Sequence, residues 1–188
     1  MRLRAVFGLG NPGDRYANTR HNVGAAAVST YVAQSAEDPT FEQDGFSRVY
    51  TFAHRVCVLP QTYMNLSGVA VCDVVKRHSL DVDRCLVVYD DVSIPFGHLR
   101  LRRSGSAGGQ NGMQSVLDHL GRQDVPRLRV GIGGDVPAGA LKDYVLSPFT
   151  RAEQKHLPKL LQAAAKAIEL FLEVDVQTAM NRCNGPAL

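Results

Sequence analysis

The residues best suited to chemistry stand in four polar segments, each of which follows a stretch with the pattern of a strand. The segments cover 11–21, 61–65, 90–97 and 104–112. Because strand ends in open α/β sheets gather at one crevice, we expect the four segments to meet there. Polar loops at such ends commonly carry binding and catalytic groups. The sequence therefore predicts one active site built from all four segments.

The residue types in these segments favour hydrolysis by an activated water molecule. His21 can remove a proton from water near neutral pH. Asp90 could accept a hydrogen bond from the other ring nitrogen, which would fix the tautomer and stabilise the imidazolium. The amides of Asn11, Asn65 and Asn111 can bind peptide groups and stabilise an oxyanion without adding charge. No G-x-S-x-G nucleophile motif is present, so water is the expected nucleophile.

A second interpretation of the first segment is a dinucleotide-binding turn. Gly8, Gly10 and Gly13 satisfy the pattern G-x-G-x-x-G after a strand. However, Pro12 lies inside the turn, and the helix pattern does not begin directly after it. The acidic residues about 20 positions further on also do not end a second strand. These three departures argue against a dinucleotide-binding site such as one for NAD.

The elements that must position the segments alternate between strand and helix. Strands are predicted over 3–8, 47–53, 55–60, 84–89, 98–103 and 127–132, with 140–146 as a candidate short strand. Helices are predicted over 23–35, 67–78, 112–120, 151–173 and 175–183. Ser67 is placed to cap the second helix, and Thr150 with Glu153 forms a capping-box pattern before the fourth. We predict an α/β fold: a single domain over 1–188 whose mixed, mostly parallel twisted sheet has helices on both faces.

Composition limits the classes of protein that the chain can belong to. Its 188 residues are 45% hydrophobic and 21% charged, which is ordinary for one globular domain. No apolar run reaches about 18 residues, so no membrane span is expected. The cysteines are far apart and form no C-x-x-C pair, which predicts free thiols in a reducing cytoplasm and no zinc. The net charge is only +3, but basic residues are concentrated at 98–103 and 127–129.

Four motifs in register carry a resemblance that covers essentially the whole chain. They are GLGNPGxxYxxTRHNxG from residue 8, QTYMNLSG from 61, YDDxxIPxG from 89 and GSAGGQNG from 105. Together they resemble bacterial-type peptidyl-tRNA hydrolase, a family that cleaves the ester joining a peptide to the terminal ribose of tRNA. The resemblance implies His21 as general base and Asp90 as its orienting partner. It also implies Asn11 and Asn65 as ligands of the peptide and its scissile carbonyl, and Asn111 as a residue that places water and substrate.

The resemblance also implies residues that hold the tRNA and line the pocket. Met64 would line the pocket, and Tyr16 would pack where tRNA attaches. Arg102 and Arg129 match positions that bind a tRNA phosphate, with help from Arg100. Periodicity alone does not support this role, because alternating arginine and leucine is typical of any strand with one solvated face.

The chain departs from the family pattern at two positions. Gln110 stands where histidine is frequent, and Ser93 stands where a further acid is frequent. Neither is the base or its partner, so we expect altered binding rather than lost activity. A non-catalytic RNA-binding relative is the remaining alternative, and the complete set of asparagines, histidine and aspartate argues against it. The expected protein is a monomeric cytoplasmic hydrolase that binds peptidyl-tRNA and needs no metal or organic cofactor.

Overall fold

One mixed sheet runs through the computed structural model, which describes residues 3–134, 136–137 and 139–188. Its eight strands within these ranges are β1 (Arg4–Gly8), β2 (Thr40–Gln43), β3 (Ser47–Thr51), β4 (Arg55–Pro60), β5 (Cys85–Pro95), β6 (His98–Arg102), β7 (Arg127–Gly133) and β8 (Gly185–Pro186). Their order is β2-β3-β4-β1-β5-β7-β6-β8. The central strands β4, β1, β5 and β7 are parallel, and every flanking pair is antiparallel. The predicted mixed α/β sheet is confirmed, with its parallel part limited to these four strands.

The helices cover both faces of the sheet, as predicted. They are α1 (Val23–Gln34), α2 (Ser67–Arg77), α3 (Asn111–Leu120), α4 (Leu141–Val145), α5 (Arg151–Glu173) and α6 (Val176–Cys183). One core lies between the sheet and α1, α5 and α6, and the other lies between the sheet and α2 and α3. Within the described ranges, no helix combines the length and the apolar character that a membrane crossing requires.

A close contact between α1 and β5 places the first polar segment at the end of the sheet. A Cβ on Gly24 would lie 2.3 Å from the carbonyl oxygen of Val88, so only glycine allows the helix to lie this near the strand. The short 3₁₀ turn Arg20–Asn22 leads directly into α1. His21 is therefore held beside the middle of β5, next to Asp90.

Two local predictions are wrong. Residues 140–146 contain helix α4 rather than a strand, and the amide of Tyr144 donates to the carbonyl of Ala140. The apolar residues at 141, 144 and 145 have the spacing of one helix face, which explains the outcome. Ser67 does not cap α2, because it is the first residue of the helix and its hydroxyl donates to the carbonyl of Met64 at 2.8 Å.

Candidate active site

His21 and Asp90 form a buried hydrogen-bonded pair near the middle of β5, where Asp90 is the sixth of eleven residues. Nδ1 of His21 lies 2.8 Å from Oδ2 of Asp90. Asp90 is 2% exposed and His21 is 9% exposed. Since a carboxylate only accepts hydrogen bonds, the proton of this contact belongs on Nδ1. The remaining ring nitrogen, Nε2, is then free to accept a proton from a water molecule.

Gln110 contacts the other oxygen of the same carboxylate. Its Nε2 donates to Oδ1 of Asp90 at 2.9 Å, and its Oε1 accepts from the amide of Met113 at 2.6 Å. The second bond makes Gln110 the N-cap of α3. Sequence reasoning treated this residue only as a departure from the family pattern. Both oxygens of Asp90 therefore have a donor, one from a histidine and one from an amide.

Asn11 is held rigidly by a neighbouring asparagine. The side chain of Asn22 accepts from the backbone amide of Asn11 and donates to its carbonyl, both at 2.9 Å. The side-chain oxygen of Asn11 accepts from the amide of Met64 at 2.7 Å. Because that oxygen is occupied, the NH₂ group of Asn11 is the part of the side chain left to bind a ligand.

A cleft of about 570 Å³ opens over these groups. Its lining includes six residues that the sequence singled out: Asn11, His21, Met64, Asn65, Asp90 and Asn111. Asn65 and Asn111 are exposed, and their side chains make no hydrogen bond with any other described residue. A volume of this size is typical of a site for a small ligand or a segment of a larger one.

The cleft also has walls that sequence reasoning missed. Tyr63 lies at its mouth and is 57% exposed, and α4 contributes Leu141 and Lys142. Tyr16 does not line the cleft, but its ring packs edge-on against Tyr63 with centroids 6.3 Å apart. Tyr63 stands inside the motif QTYMN and could have been found there. No such signal marked α4, which was predicted as a strand.

The buried guanidinium of Arg20 ties the turn that carries His21 to the segment after α4. It donates to the hydroxyl of Ser147 at 2.7 Å and to the carbonyl of Pro148 at 2.6 Å. It also pairs with Glu153, in the first turn of α5, at 2.6 Å. The turn of His21, the end of α4 and the start of α5 are thus linked through one side chain.

The predicted phosphate-binding arginines lie on β6 and β7, outside the cleft. Arg100 is directly opposite Arg129 in the antiparallel register. Arg129 pairs with Asp91 and donates to the hydroxyl of Ser93 at 3.1 Å. The guanidinium of Arg100 has no partner among the described residues, and that of Arg102 donates only to a backbone carbonyl, at 3.2 Å. We call Arg100, Arg102 and Arg129 the arginine surface.

A fourth arginine beside this surface holds the glycine-rich segment in place. Arg127 is buried opposite Arg102. It donates to the carbonyl oxygens of Gly105 at 2.6 Å and Ser106 at 3.0 Å. Arg127 therefore fixes the start of the loop that ends at Gln110.

The most buried thiols are unreactive near neutral pH. Burial raises the pKa of the thiols of Cys57 and Cys85 to about 12, so neither thiol ionises near neutral pH. Among the described residues, no three histidine, cysteine or acidic side chains gather in a group that could hold a metal ion.

Comparison with known proteins agrees with the geometry. The family model for peptidyl-tRNA hydrolase matches residues 5–188. A peptidyl-tRNA hydrolase from Sulfurihydrogenibium sp. (strain YO3AOP1) is 42% identical over 97% of this chain and 97% of its own length. One from Roseiflexus sp. (strain RS-1) is 46% identical over 96% of this chain and 85% of its own. The crystal structure of peptidyl-tRNA hydrolase from Acinetobacter baumannii superposes with a TM-score of 0.89 at 28% identity, covering 98% of this chain and 95% of that one. The chain therefore belongs to the peptidyl-tRNA hydrolase family.

Proposed function

We propose that this chain hydrolyses the ester bond between peptide and tRNA in N-blocked peptidyl-tRNA, with His21 as the general base. The buried contact between His21 and Asp90 is the observation that carries the proposal. A water molecule gives a proton to Nε2 of His21 and attacks the ester carbonyl carbon. Asp90 stabilises the imidazolium that forms. General base catalysis of this kind contributes roughly 10²- to 10⁴-fold to the rate.

Asparagine amides stabilise the tetrahedral intermediate. The NH₂ group of Asn11 is free to donate because its oxygen is bound to the amide of Met64. Asn111 begins α3 at the other side of the cleft and helps to place the water. When the intermediate collapses, the bond between the carbonyl carbon and the ribose oxygen breaks. The imidazolium of His21 returns its proton to that oxygen, so tRNA and peptide leave as neutral hydroxyl and carboxylic acid groups.

The asparagines also explain how unblocked aminoacyl-tRNA would be spared. Asn11 and Asn65 read the peptide group beyond the first residue, which a single amino acid lacks. A polar site rejects a ligand that lacks the matching group more strongly than an apolar site does. Asn65→Ala should therefore narrow the rate ratio between blocked and unblocked substrates. Gln114→Ala, which removes an exposed amide on α3, is the control. An equal change in both variants would contradict this role.

The tRNA is held by charge outside the cleft and by aromatic rings at its mouth. The arginine surface binds phosphate, since arginine can donate two parallel hydrogen bonds to one phosphate group. Tyr16 and Tyr63 provide faces against which unstacked bases pack. The enzyme is proposed to act as a monomer in the cytoplasm, and every chemical step runs through the side chains named above and water.

Release of free tRNA from N-acetyl-aminoacyl-tRNA tests the reaction and its base together. The intact chain should release tRNA quickly from this substrate and slowly from unblocked aminoacyl-tRNA. His21→Ala should be inactive, whereas His156→Ala, which removes an exposed histidine of α5, should match the intact chain. Equal release by the intact chain and His21→Ala would dismiss His21 as the base. No release by either, with tRNA binding retained, would favour a non-catalytic RNA-binding role.

A further inference from the structure

Gln110 lies between the carboxylate of Asp90 and the first turn of α3. Its side chain makes two hydrogen bonds: it donates one to Asp90 and accepts the other from the backbone amide of Met113. The amide of Met113 can only donate and the carboxylate of Asp90 can only accept. The orientation of the Gln110 amide is therefore fixed by its partners.

The surroundings of Gln110 leave it little freedom to move. Its Nε2 also lies 3.3 Å from the sulfur of Met64. A Cβ on Gly112, two residues further along, would lie 2.3 Å from the same sulfur and 3.1 Å from Oε1 of Gln110. Side chains that are packed and doubly hydrogen-bonded hold their neighbours in one rotamer. Asp90 is thus held from both sides, by His21 and by Gln110.

We propose that Gln110 is a positioning residue that holds Asp90 in the orientation His21 requires. This inference rests on the proposed function of His21 as general base. Gln110 donates to Asp90 without carrying charge, so it leaves the full negative charge of the carboxylate to stabilise the imidazolium. As an amide it does not titrate, and its donation is the same at every working pH. Gln110 also links the pair of His21 and Asp90 to α3, whose first residue is Asn111.

The variant Gln110→Glu separates this role from simple helix capping. The introduced carboxyl group keeps an oxygen that accepts from Met113, so the cap is retained. Above neutral pH, however, a second carboxylate would face Asp90 and repel it. At lower pH the two carboxyl groups share a proton, and a donor to Asp90 is restored. The other titratable side chains that line the cleft are His21, Tyr63, Asp90, Asp91 and Lys142. All of them are present in the intact chain as well, so dividing by its kcat removes their own contribution to the pH dependence.

The experiment compares kcat and KM for N-acetyl-aminoacyl-tRNA across the pH range from about 6 to about 8. We expect Gln110→Glu to lower kcat about tenfold at the upper end, with KM nearly unchanged. The ratio of its kcat to that of the intact chain should rise toward one as pH falls. Gln110→His, whose ring can donate to Asp90, should have a kcat within about threefold of that of the intact chain.

Gln114→Glu is the matched control, because Gln114 is exposed on the same helix and donates to Asp118 at 2.8 Å. It makes the same chemical change beside a carboxylate outside the cleft, and its kcat ratio should be flat with pH. If the kcat ratio of Gln110→Glu to the intact chain is also independent of pH, the proposal is overturned, whether or not the melting temperature of the variant falls. Failure of the intact chain to release tRNA would instead refute the proposed function, before the variants are compared.

Discussion

Asp90 and Asp91 are adjacent on β5, yet they bind opposite kinds of partner. Asp90 is buried between His21 and Gln110, neither of which carries a permanent charge. Asp91 pairs with Arg129, and its other oxygen accepts from both the amide and the hydroxyl of Ser93. Successive side chains of a strand point to opposite sides, so one peptide unit separates the two environments. Under the proposed function the first stabilises a charge that forms only during the reaction. The second holds a permanent positive charge at the edge of the arginine surface.

The comparison predicts that substitutions at the two positions change different kinetic constants. Changes around Asp90 should act on kcat, because they alter a charge that forms only during the reaction. Changes around Asp91 should act on KM and its salt dependence, because they alter attraction to phosphate.

Asp90→Asn should have the largest effect. The amide cannot stabilise the imidazolium, and its NH₂ group favours the wrong tautomer of His21, so kcat should fall at least about a hundredfold. The measurement is single-turnover hydrolysis of N-acetyl-aminoacyl-tRNA at saturating enzyme. Asp91→Asn is the control, and a similar loss of kcat there would mean that the two carboxylates do not have separate roles.

Arg102→Ala should come next, because Arg102 has no ion-pair partner among the described residues. KM for full-length tRNA substrates should rise several-fold, and the slope of its logarithm against log salt should decrease by about one. Hydrolysis of a short peptidyl-oligonucleotide should be unchanged. Arg122→Ala, which removes an arginine already paired with Asp83 and Asp124, serves as the matched variant. Equal losses on long and short substrates would contradict phosphate binding by Arg102.

Arg129→Ala should raise KM for full-length tRNA by less than Arg102→Ala does. Asp91 already offsets part of the positive charge of Arg129, so less attraction to phosphate is lost. For the same reason Asp91→Asn should lower KM at low salt, by roughly twofold to threefold, with kcat unchanged. Titration of KM with salt for both variants measures this. A larger effect for Arg129→Ala than for Arg102→Ala would show that the ion pair opens when tRNA binds.

Thiol modification should have the smallest effect. Burial raises the pKa of Cys57 and Cys85 to about 12, so both should resist iodoacetamide near pH 8 in the folded protein. None of the four cysteines lines the cleft, so the treated enzyme should keep its kcat within about twofold. Mass spectrometry and a rate assay on the same sample check both expectations. Inactivation together with labelling at Cys57 would show that the core between the sheet and α1, α5 and α6 opens to solvent.

The elements with strong local signals were predictable from the sequence. The apolar run of β1 and the hairpin of β3 and β4 were located because their patterns depend on neighbouring residues alone. The capping box of α5 forms as expected, with Glu153 donating its amide to the hydroxyl of Thr150 at 3.2 Å. Two strands had no such signal. All residues of β2 are exposed, and β8 has only two residues, held in place by hydrogen bonds of the Asn184 side chain to the backbone of Leu101.

The residues of the site fall into the same two groups, those with a local sequence signal and those without one. The six residues of the cleft that the sequence singled out could be located because they follow strands whose ends must meet. Their partners could not, because the contacts of Gln110 with Asp90 and of Arg129 with Asp91 join residues 20 and 38 positions apart. Such contacts depend on the angle at which α3 and β7 approach β5. Nothing in the spacing of the sequence sets that angle.

The contacts of Arg20 have a consequence for local unfolding. Its guanidinium joins the turn of His21 to Glu153 in the first turn of α5. Since the Arg20 side chain is only 4% exposed, loss of Glu153 would leave its charge buried without this partner. Fraying of α5 would expose Arg20 and loosen the turn of His21 in the same event. Amide exchange in 20–22 and at the start of α5 should therefore follow one opening equilibrium, so His21 is protected from solvent to the same degree as the start of the long helix.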